Sequence, residues 1–521
     1  MSSFSIKPAS IAKGHSNVAL MEQENFERYG IYTRLHYEGR SITNFDELLY
    51  AGRIARLLVE RGIQPGDRVL TVMPNTPDLT ATFQAVWTAG AVMVPVNPLW
   101  SVPELAYALN NSGASAVLTY ASLAPRVREA VDSSQVSPRL LCFGESSVAG
   151  FQNIVPDIAG ISPLSTPVDR EASDIALLLY TSGTTARPKG VILTHGNIPA
   201  ALEAVHRVNP SLPRRPILHV LPMNHIFGVL MIQLSNRWGF SSVLMRQFEP
   251  VSIFNAIQQY QIGYVLMVPT MLAYLLHHPE RSKYDFSSLY RIITGGAGLP
   301  EPLRLSFQQA FRCRVDQGYG MSEAGFISCY GDHESYRMGS SGWPCPGFEI
   351  RIVDDEGRAL PPPTVGEICI QGASITPGYW NDPEAQNGSF RDQWFHTGDV
   401  GYLDNDGYLY ITDRKKDLII KGGENISPSE IEQVIYLHPS IAETAVVGMH
   451  DEEFGEKICA VIQLRPGTAA TESEICEHIA RYLGKFKIPS CVVFQAALPK
   501  TSTGKINKQM LREQLNGAKA T

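Results

Sequence analysis

The sequence predicts an α/β protein. A large N-terminal domain of parallel α/β subdomains carries a small antiparallel β subdomain, and a small α+β C-terminal domain follows. Three observations lead there. From about residue 43 to residue 298, short apolar runs alternate with stretches of helical spacing, a pattern that lays parallel strands side by side under helices on both faces. From about Gly339 the texture changes to short strands of alternating polarity, separated by the turn signals Asp354-Asp-Glu-Gly and Asp404-Asn-Asp-Gly. After Asp413 a compact unit with its own helices and strands begins. The chain therefore divides into residues 1–413 and 414–521.

Taken in order, Thr43-x-x-Asp46 has the form of a capping box. Leu48, Leu49, Ala51, Ile54, Leu57 and Leu58 follow at helical spacing until Gly62 ends the helix. Strands are predicted over 68–73, 91–95 and 114–119, with helices over 78–89 and 102–111 between them. The apolar run 175–180 reads as a buried strand, and a second run covers 191–193. A helix over about 197–206, a strand over 218–221, a helix over 248–260 and strands over 264–268 and 290–294 continue the alternation. The antiparallel subdomain comprises strands 348–353, 366–371 and 408–412. The last unit has helices over 428–436 and 472–483 and strands over 442–447 and 458–464.

Bulk composition narrows the function class. With 521 residues, 44% hydrophobic and 18% charged, the chain has the make-up of a soluble enzyme of two or more domains. A net charge of −7 argues against nucleic acid or an anionic membrane as partner. The eight cysteines form no C-x-x-C pair and no zinc spacing with histidine, which reads as reduced core thiols in a cytoplasmic protein. Residues 1–19 have no apolar signal-peptide core, and no run reaches the length of a membrane span. The most apolar run, 265–276, is interrupted by Pro269 and Thr270.

Chemistry concentrates in seven segments. Between the apolar runs 175–180 and 191–193 lies Thr181-Ser182-Gly183-Thr184-Thr185-Ala186-Arg187-Pro188-Lys189-Gly190. Small hydroxyl residues, glycines and two cations there bring N–H groups, hydroxyls and positive charge to phosphate oxygens. The spacing is not that of a Walker A loop. Gln317-Gly318-Tyr319-Gly320-Met321-Ser322-Glu323 lets backbone approach a flat base, with Tyr319 to stack and Glu323 to offer oxygen to Mg²⁺. Asp399, just after Gly398, suits a pair of ribose hydroxyls, and Arg414 suits ribose or phosphate. Lys421-Gly422-Gly423-Glu424 is a tight turn, read either as a plain hairpin or as the border of a tunnel. Leu221-Pro-Met-Asn-His225-Ile-Phe-Gly228 presents a histidine after a strand. Pro499-Lys-Thr-Ser-Thr-Gly-Lys505 delivers one ammonium on a loop, a means of stabilising charge in a transition state.

Each segment is weak alone. In this order, over about residues 57–515, the set resembles the adenylate-forming superfamily, in its acyl-CoA and aryl-CoA synthetase branch. The resemblance implies an ATP- and Mg²⁺-dependent ligase. A carboxylic acid is activated to an acyl-adenylate with release of pyrophosphate, then passed to coenzyme A. It also implies site residues. The loop from Thr181 through Ser182, Gly183, Thr184 and Thr185 to Lys189 would embrace the β- and γ-phosphates. Gly295, Gly296 and Ala297 would line the adenine and acyl pockets. Gln317 to Met321 would meet the base and α-phosphate. Glu323, with Thr184, would hold the metal, next to Ser322. Asp399 and Arg414 would hold the ribose, His225 would gate the acyl pocket, and Lys505 would contact carboxylate and α-phosphate. The C-terminal domain would be mobile about a hinge at Lys416, exchanging Lys505 for the Lys421–Glu424 turn beside a thiol tunnel.

Three positions depart from the family pattern. Ala186 stands where glycine is usual, and its methyl group disfavours positive φ, so the loop is expected to close differently. Ser322 stands for the commoner threonine and keeps the hydroxyl. Asn224 occupies a position often aromatic, which bears on the entrance of the acyl pocket. The small Gly295-Gly-Ala-Gly298 wall leaves room for a fatty or aryl acid rather than acetate, and Met223, Met267 and Met271 read equally as cavity lining or as plain core. With no carrier-protein segment after Leu515, free CoA is the expected acceptor, and the phosphopantetheine of a separate carrier protein is the alternative. No nucleic acid is expected, and a homodimer is compatible with the sequence.

Overall fold

The computed structural model describes residues 17–144, 148–181, 187–210, 212–332, 334–500 and 506–517. Two large sheets form the N-terminal part. In the first, strands Gln152–Asn153, Arg139–Phe143, Ala116–Tyr120, Arg68–Val72, Val92–Val96 and Ile175–Thr181 lie side by side and parallel. Here the alternation of the sequence is realised, and strands such as Val92–Val96 are buried along their whole length. One edge of this parallel sheet is antiparallel. Strand Lys189–Thr194 returns antiparallel to Ile175–Thr181, and Tyr379–Trp380 adds antiparallel to that. The short 182–188 connection leaves no room for a crossover helix, so the strand has to turn back as a hairpin.

The second sheet runs Arg314–Gln317, Arg291–Thr294, Tyr264–Met267, Ile217–His219, Ser242–Leu244, Thr33–Tyr37 and Arg40–Thr43. It is parallel except for its last strand. Its edge near residue 40 was not foreseen, nor were several helices, three of which show why. Ile226–Arg237 is buried along nearly its whole length, so it has no polar face to reveal a helical period. Pro269–His277 and Glu301–Phe311 each start with proline in the first turn, where the missing N–H is harmless. Pro269 therefore opens a helix instead of interrupting an apolar run. The capping box at Thr43 and Asp46 forms as expected, with both reciprocal bonds made, and starts helix Asn44–Glu60.

Three smaller sheets complete the fold. One joins Tyr319–Met321, Gly325–Cys329 and Trp343–Pro344. Another joins Phe348–Val353, Gly366–Gly372, Trp394–Leu403, Phe390–Arg391 and Leu409–Arg414, all antiparallel, as the alternating texture implied. The last begins at Ile419 and holds Ile419–Lys421, Glu424–Ile426, Ile441–Asp451, Gly455–Leu464 and Cys491–Phe494. Its own apolar core includes Ile419, Ile431, Ile435, Ile458 and Ile475. Among the described residues no helix is long and apolar enough to cross a membrane, and all eight cysteines are free.

Candidate functional site

The site is assembled where strands of both large sheets end in glycine-rich turns, the usual place for a ligand in α/β sheets. Strand Arg291–Thr294 runs into Gly295-Gly296, and the neighbouring Arg314–Gln317 runs into Gly318. Gly318 donates its N–H to the Thr294 carbonyl at 2.7 Å. The Gln317 side chain is buried. Its Oε1 accepts from the Leu299 N–H at 2.7 Å, so it clamps the 295–298 turn in place. Gly296 has φ +82, a backbone region that favours glycine. At Gly320 a Cβ would meet the Gly325 carbonyl oxygen at 2.1 Å, so no side chain fits in the hairpin that carries Tyr319.

Three predicted residues converge at the polar end. The Tyr319 hydroxyl donates to Asp399 Oδ2 at 2.6 Å, and Arg414 Nε lies 3.1 Å from Asp399 Oδ1. Sheet register explains the second contact, because Asp399 and Arg414 face each other across paired strands. Asp399 is buried, so its carboxylate is compensated by these donors. Burial and the adjacent Asp399 carboxylate push the Tyr319 phenol well above the ordinary tyrosine range, which keeps it a proton donor.

Glu323 sits at the tip of the same hairpin. Its Oε1 accepts from the Tyr379 hydroxyl at 2.9 Å, and its backbone carbonyl accepts from the Thr376 N–H at 2.6 Å. Desolvation raises its carboxyl pKa above the usual value, and the Tyr379 hydrogen bond opposes that shift. A half-buried carboxylate with a single phenol donor is a hard oxygen ligand of the kind Mg²⁺ prefers, and the residues present fit that ion. The ring of Tyr379 also faces the ammonium of Lys189, 5.4 Å from its centroid. Tyr379 thus joins the strand leaving the phosphate-type loop to the Glu323 hairpin. No sequence expectation named it. Its signal, an aromatic pair within Pro377-Gly-Tyr-Trp380, has no chemical pattern of its own.

The hairpin arms are held from behind. The Tyr180 hydroxyl donates to Asn111 Oδ1 at 2.7 Å, and Trp380 Nε1 donates to the Asn111 carbonyl at 2.9 Å. Thr181 ends one arm and Lys189 opens the other. Ser182, Gly183, Thr184, Thr185 and Ala186 lie outside the described residues, as does Lys505.

Beside the polar end lies an apolar cavity. Leu221, Phe227, Leu266, Met267, Ile293 and Phe326 form its walls, and Gly295, Gly296 and Gly318 form the side toward Tyr319. Among the described residues no Lys, Arg, Asp or Glu lines it. His225 also borders it, as N-cap of helix Ile226–Arg237, where its Nδ1 accepts from the Phe227 N–H at 3.4 Å. Of the three candidate methionines only Met267 lines the cavity. Met223 is buried in the main core, and Met271 packs between two core clusters. Ala297 is not part of the wall either.

The remaining predicted residues lie on the C-terminal part. Lys421, Gly422, Gly423 and Glu424 form a tight hairpin turn with Gly422 at φ 58 and Gly423 at φ 85, as the plainer reading had it. Lys416 is in the connection between Arg414, the end of one sheet, and Ile419, the start of the next. Contacts straddle this connection. Asp413 Oδ2 accepts from the Ser427 hydroxyl and the Ser429 N–H, both at 2.9 Å, and Arg512 Nη2 donates to Asp417 at 2.8 Å.

Comparison with known proteins agrees with this geometry. The model of the AMP-binding enzyme family matches residues 22–380, and that of the AMP-binding enzyme C-terminal domain matches residues 430–505. The chain is 35% identical to a feruloyl-CoA synthase of Amycolatopsis sp, over 92% of this chain and 96% of that protein. It is 32% identical to a long-chain-fatty-acid–CoA ligase of Bacillus subtilis, over 94% and 92% of the two chains. A crystal structure of the anthranilate CoA ligase AuaEII in complex with anthranoyl-AMP superposes with a TM-score of 0.90 at 25% identity, covering 97% of this chain and 98% of that one.

Proposed function

The chain belongs to the AMP-binding enzyme family, and from that premise we propose that it is an acid–CoA ligase for a neutral, apolar monocarboxylic acid of fatty or aryl type. One observation carries the choice of acid. The cavity is walled mainly by hydrocarbon and aromatic side chains, has no charged residue in its lining among the described residues, and includes Gly318, the neighbour of Tyr319, in its wall. A second carboxylate placed there would be desolvated with no partner, at a cost of several kcal/mol.

In the first half-reaction a carboxylate oxygen attacks the α-phosphorus of ATP and pyrophosphate leaves. Asp399 and Arg414 fit the ribose, and Lys189 with the loop before it fits the terminal phosphates. Lys505, from the C-terminal part, would steady the carboxylate against the α-phosphate. Positioning and charge neutralisation supply the rate. Mg²⁺ bound at Glu323 and Thr184 would neutralise phosphate charge. In the second half-reaction the CoA thiol attacks the activated carbonyl and AMP leaves, after the C-terminal part has turned about Lys416 to bring the Lys421–Glu424 turn to the thiol. Lid motions of this kind limit turnover in many enzymes.

The test is ATP–pyrophosphate exchange over a panel of acids, followed by thioester formation with free CoA and with a phosphopantetheinylated carrier protein. Exchange with medium-chain or aromatic monocarboxylates, little with malonate or oxalate, and transfer to CoA are expected. Exchange that favours dicarboxylates would overturn the choice of acid, and transfer to the carrier alone would overturn the choice of acceptor.

A further inference from the structure

Tyr379 stands outside every motif named above, yet it touches both halves of the phosphate end. Its backbone pairs with Val191 on the strand that leaves the phosphate-type loop. Its hydroxyl donates to Glu323 Oε1 at 2.9 Å, and its ring lies under the Lys189 ammonium. The segment before it is tied on both sides as well. Thr376 donates its N–H to the Glu323 carbonyl and its hydroxyl to the Ile192 carbonyl, each at 2.6 Å. Gly378 gives its carbonyl to the Ile192 N–H at 3.0 Å. Residues 376–380 thus form a strap across the gap between the hairpin that carries Glu323 and the strand that carries Lys189.

A glutamate has three rotatable bonds, and an untethered one spreads its carboxylate over many positions. One phenol donor on Oε1 narrows that spread. No other side chain donates to the carboxylate among the described residues. The ring attracts the ammonium of Lys189 through its quadrupole, a contact worth about 0.5–2 kcal/mol in general.

We propose that Tyr379 is a positioning residue. Its hydroxyl aims the Glu323 carboxylate at the divalent ion, and its ring holds Lys189 for the terminal phosphates, so one side chain sets the spacing of the two cationic partners of ATP. This rests on the reading of Glu323 as a metal ligand, and the test separates the two.

Mn²⁺ serves as a paramagnetic probe. Its binding to the full-length protein with ATP, acid omitted, is followed by electron paramagnetic resonance, and metal-free ATP binding is followed by calorimetry in chelator. Three variants are compared: Tyr379→Phe, Tyr379→Leu and Glu323→Gln. Tyr379→Phe should weaken Mn²⁺ about three- to tenfold and leave metal-free ATP binding within twofold. Tyr379→Leu should weaken both. Glu323→Gln should weaken Mn²⁺ by more than tenfold. The Mg²⁺ concentration for half-maximal pyrophosphate exchange should rise in Tyr379→Phe, with the rate largely recovered at high Mg²⁺. Parental Mn²⁺ affinity in Tyr379→Phe alongside loss in Glu323→Gln would overturn the positioning role and leave the metal assignment standing. Parental affinity in Glu323→Gln would overturn the metal assignment, and the proposal with it. Metal-free ATP affinity unchanged in Tyr379→Leu would overturn the Lys189 half. If Tyr379→Phe does not fold, Tyr379→Leu, which also lacks the donor, carries the Mn²⁺ comparison.

Discussion

The two ends of the site are built in opposite ways. The polar end, proposed for the nucleotide, is made of side chains that reach one another across sheets: Tyr319 and Arg414 on Asp399, and Tyr379 between Glu323 and Lys189. The acyl end is made of packing. Its walls are ordinary core residues, and its opening exists because Gly295, Gly296 and Gly318 have no side chains to close it. The first kind of site depends on a few directional bonds and fails when one partner is removed. The second depends on volume and changes its preference when one wall residue changes size.

Substitution at the nucleotide end should produce the largest effect. Asp399→Asn keeps the shape but takes the charge from both Tyr319 and Arg414. Two charge-assisted bonds are weakened, so pyrophosphate exchange should fall by about a hundredfold, mostly as a raised KM for ATP. An ATP KM within twofold of the parent would break the comparison, since the polar end would then tolerate the loss of its central acceptor.

A middle-sized effect is expected at the acyl end. Phe326→Leu trims a wall residue whose ring centroid lies 4.8 Å from that of Phe227. The cost in stability should be roughly 1–2 kcal/mol. The acid preferred in exchange assays should shift toward longer or bulkier tails, with the KM for ATP unchanged. A change in ATP KM without a change in acid preference would show that the two ends are not separable.

The smallest effect concerns pH. His219, on the strand that leads to Leu221 in the cavity wall, is buried beside Arg34. Burial first, and the nearby guanidinium second, lower its pKa from 6.5 to about 3. His195, buried after strand Lys189–Thr194, is lowered to about 4 by burial and then by Arg170. Both are neutral when folded and bind protons when unfolded. Their stabilisation is therefore full above about pH 6.5 and is lost as pH falls from there toward the folded values, by up to about 1.4 kcal/mol per pH unit for each group. Melting temperature measured from pH 7 to pH 5 should fall, and His219→Gln should flatten the decline. An equally steep decline in that variant would remove His219 as a cause.

Much of the fold could be read before any coordinates. Alternating runs located the parallel strands because each is buried on both faces, and the capping box at Thr43 located a helix start. The elements that escaped lacked a local pattern. Helix Ile226–Arg237 is buried almost all round, and the proline-opened helices looked like breaks. At the site, the sequence singled out Tyr319, Glu323, Asp399 and Arg414, and the structure brings each to the polar end. It left Met223, Met267 and Met271 open between cavity and core, because apolar residues at such positions look alike whichever they face.

What the sequence by itself determined is the inventory: the order of strands and helices, the family, and the residue types able to meet a nucleotide and a metal. Those are properties of local pattern and of chemistry carried in short segments. Only the tertiary structure decided the partnerships. Tyr379 lies 56 residues from Glu323 along the chain, and strand pairing alone sets it beside Lys189. The cavity, likewise, is a void between elements distant in the chain. Its size depends on how those elements pack, which no single segment specifies.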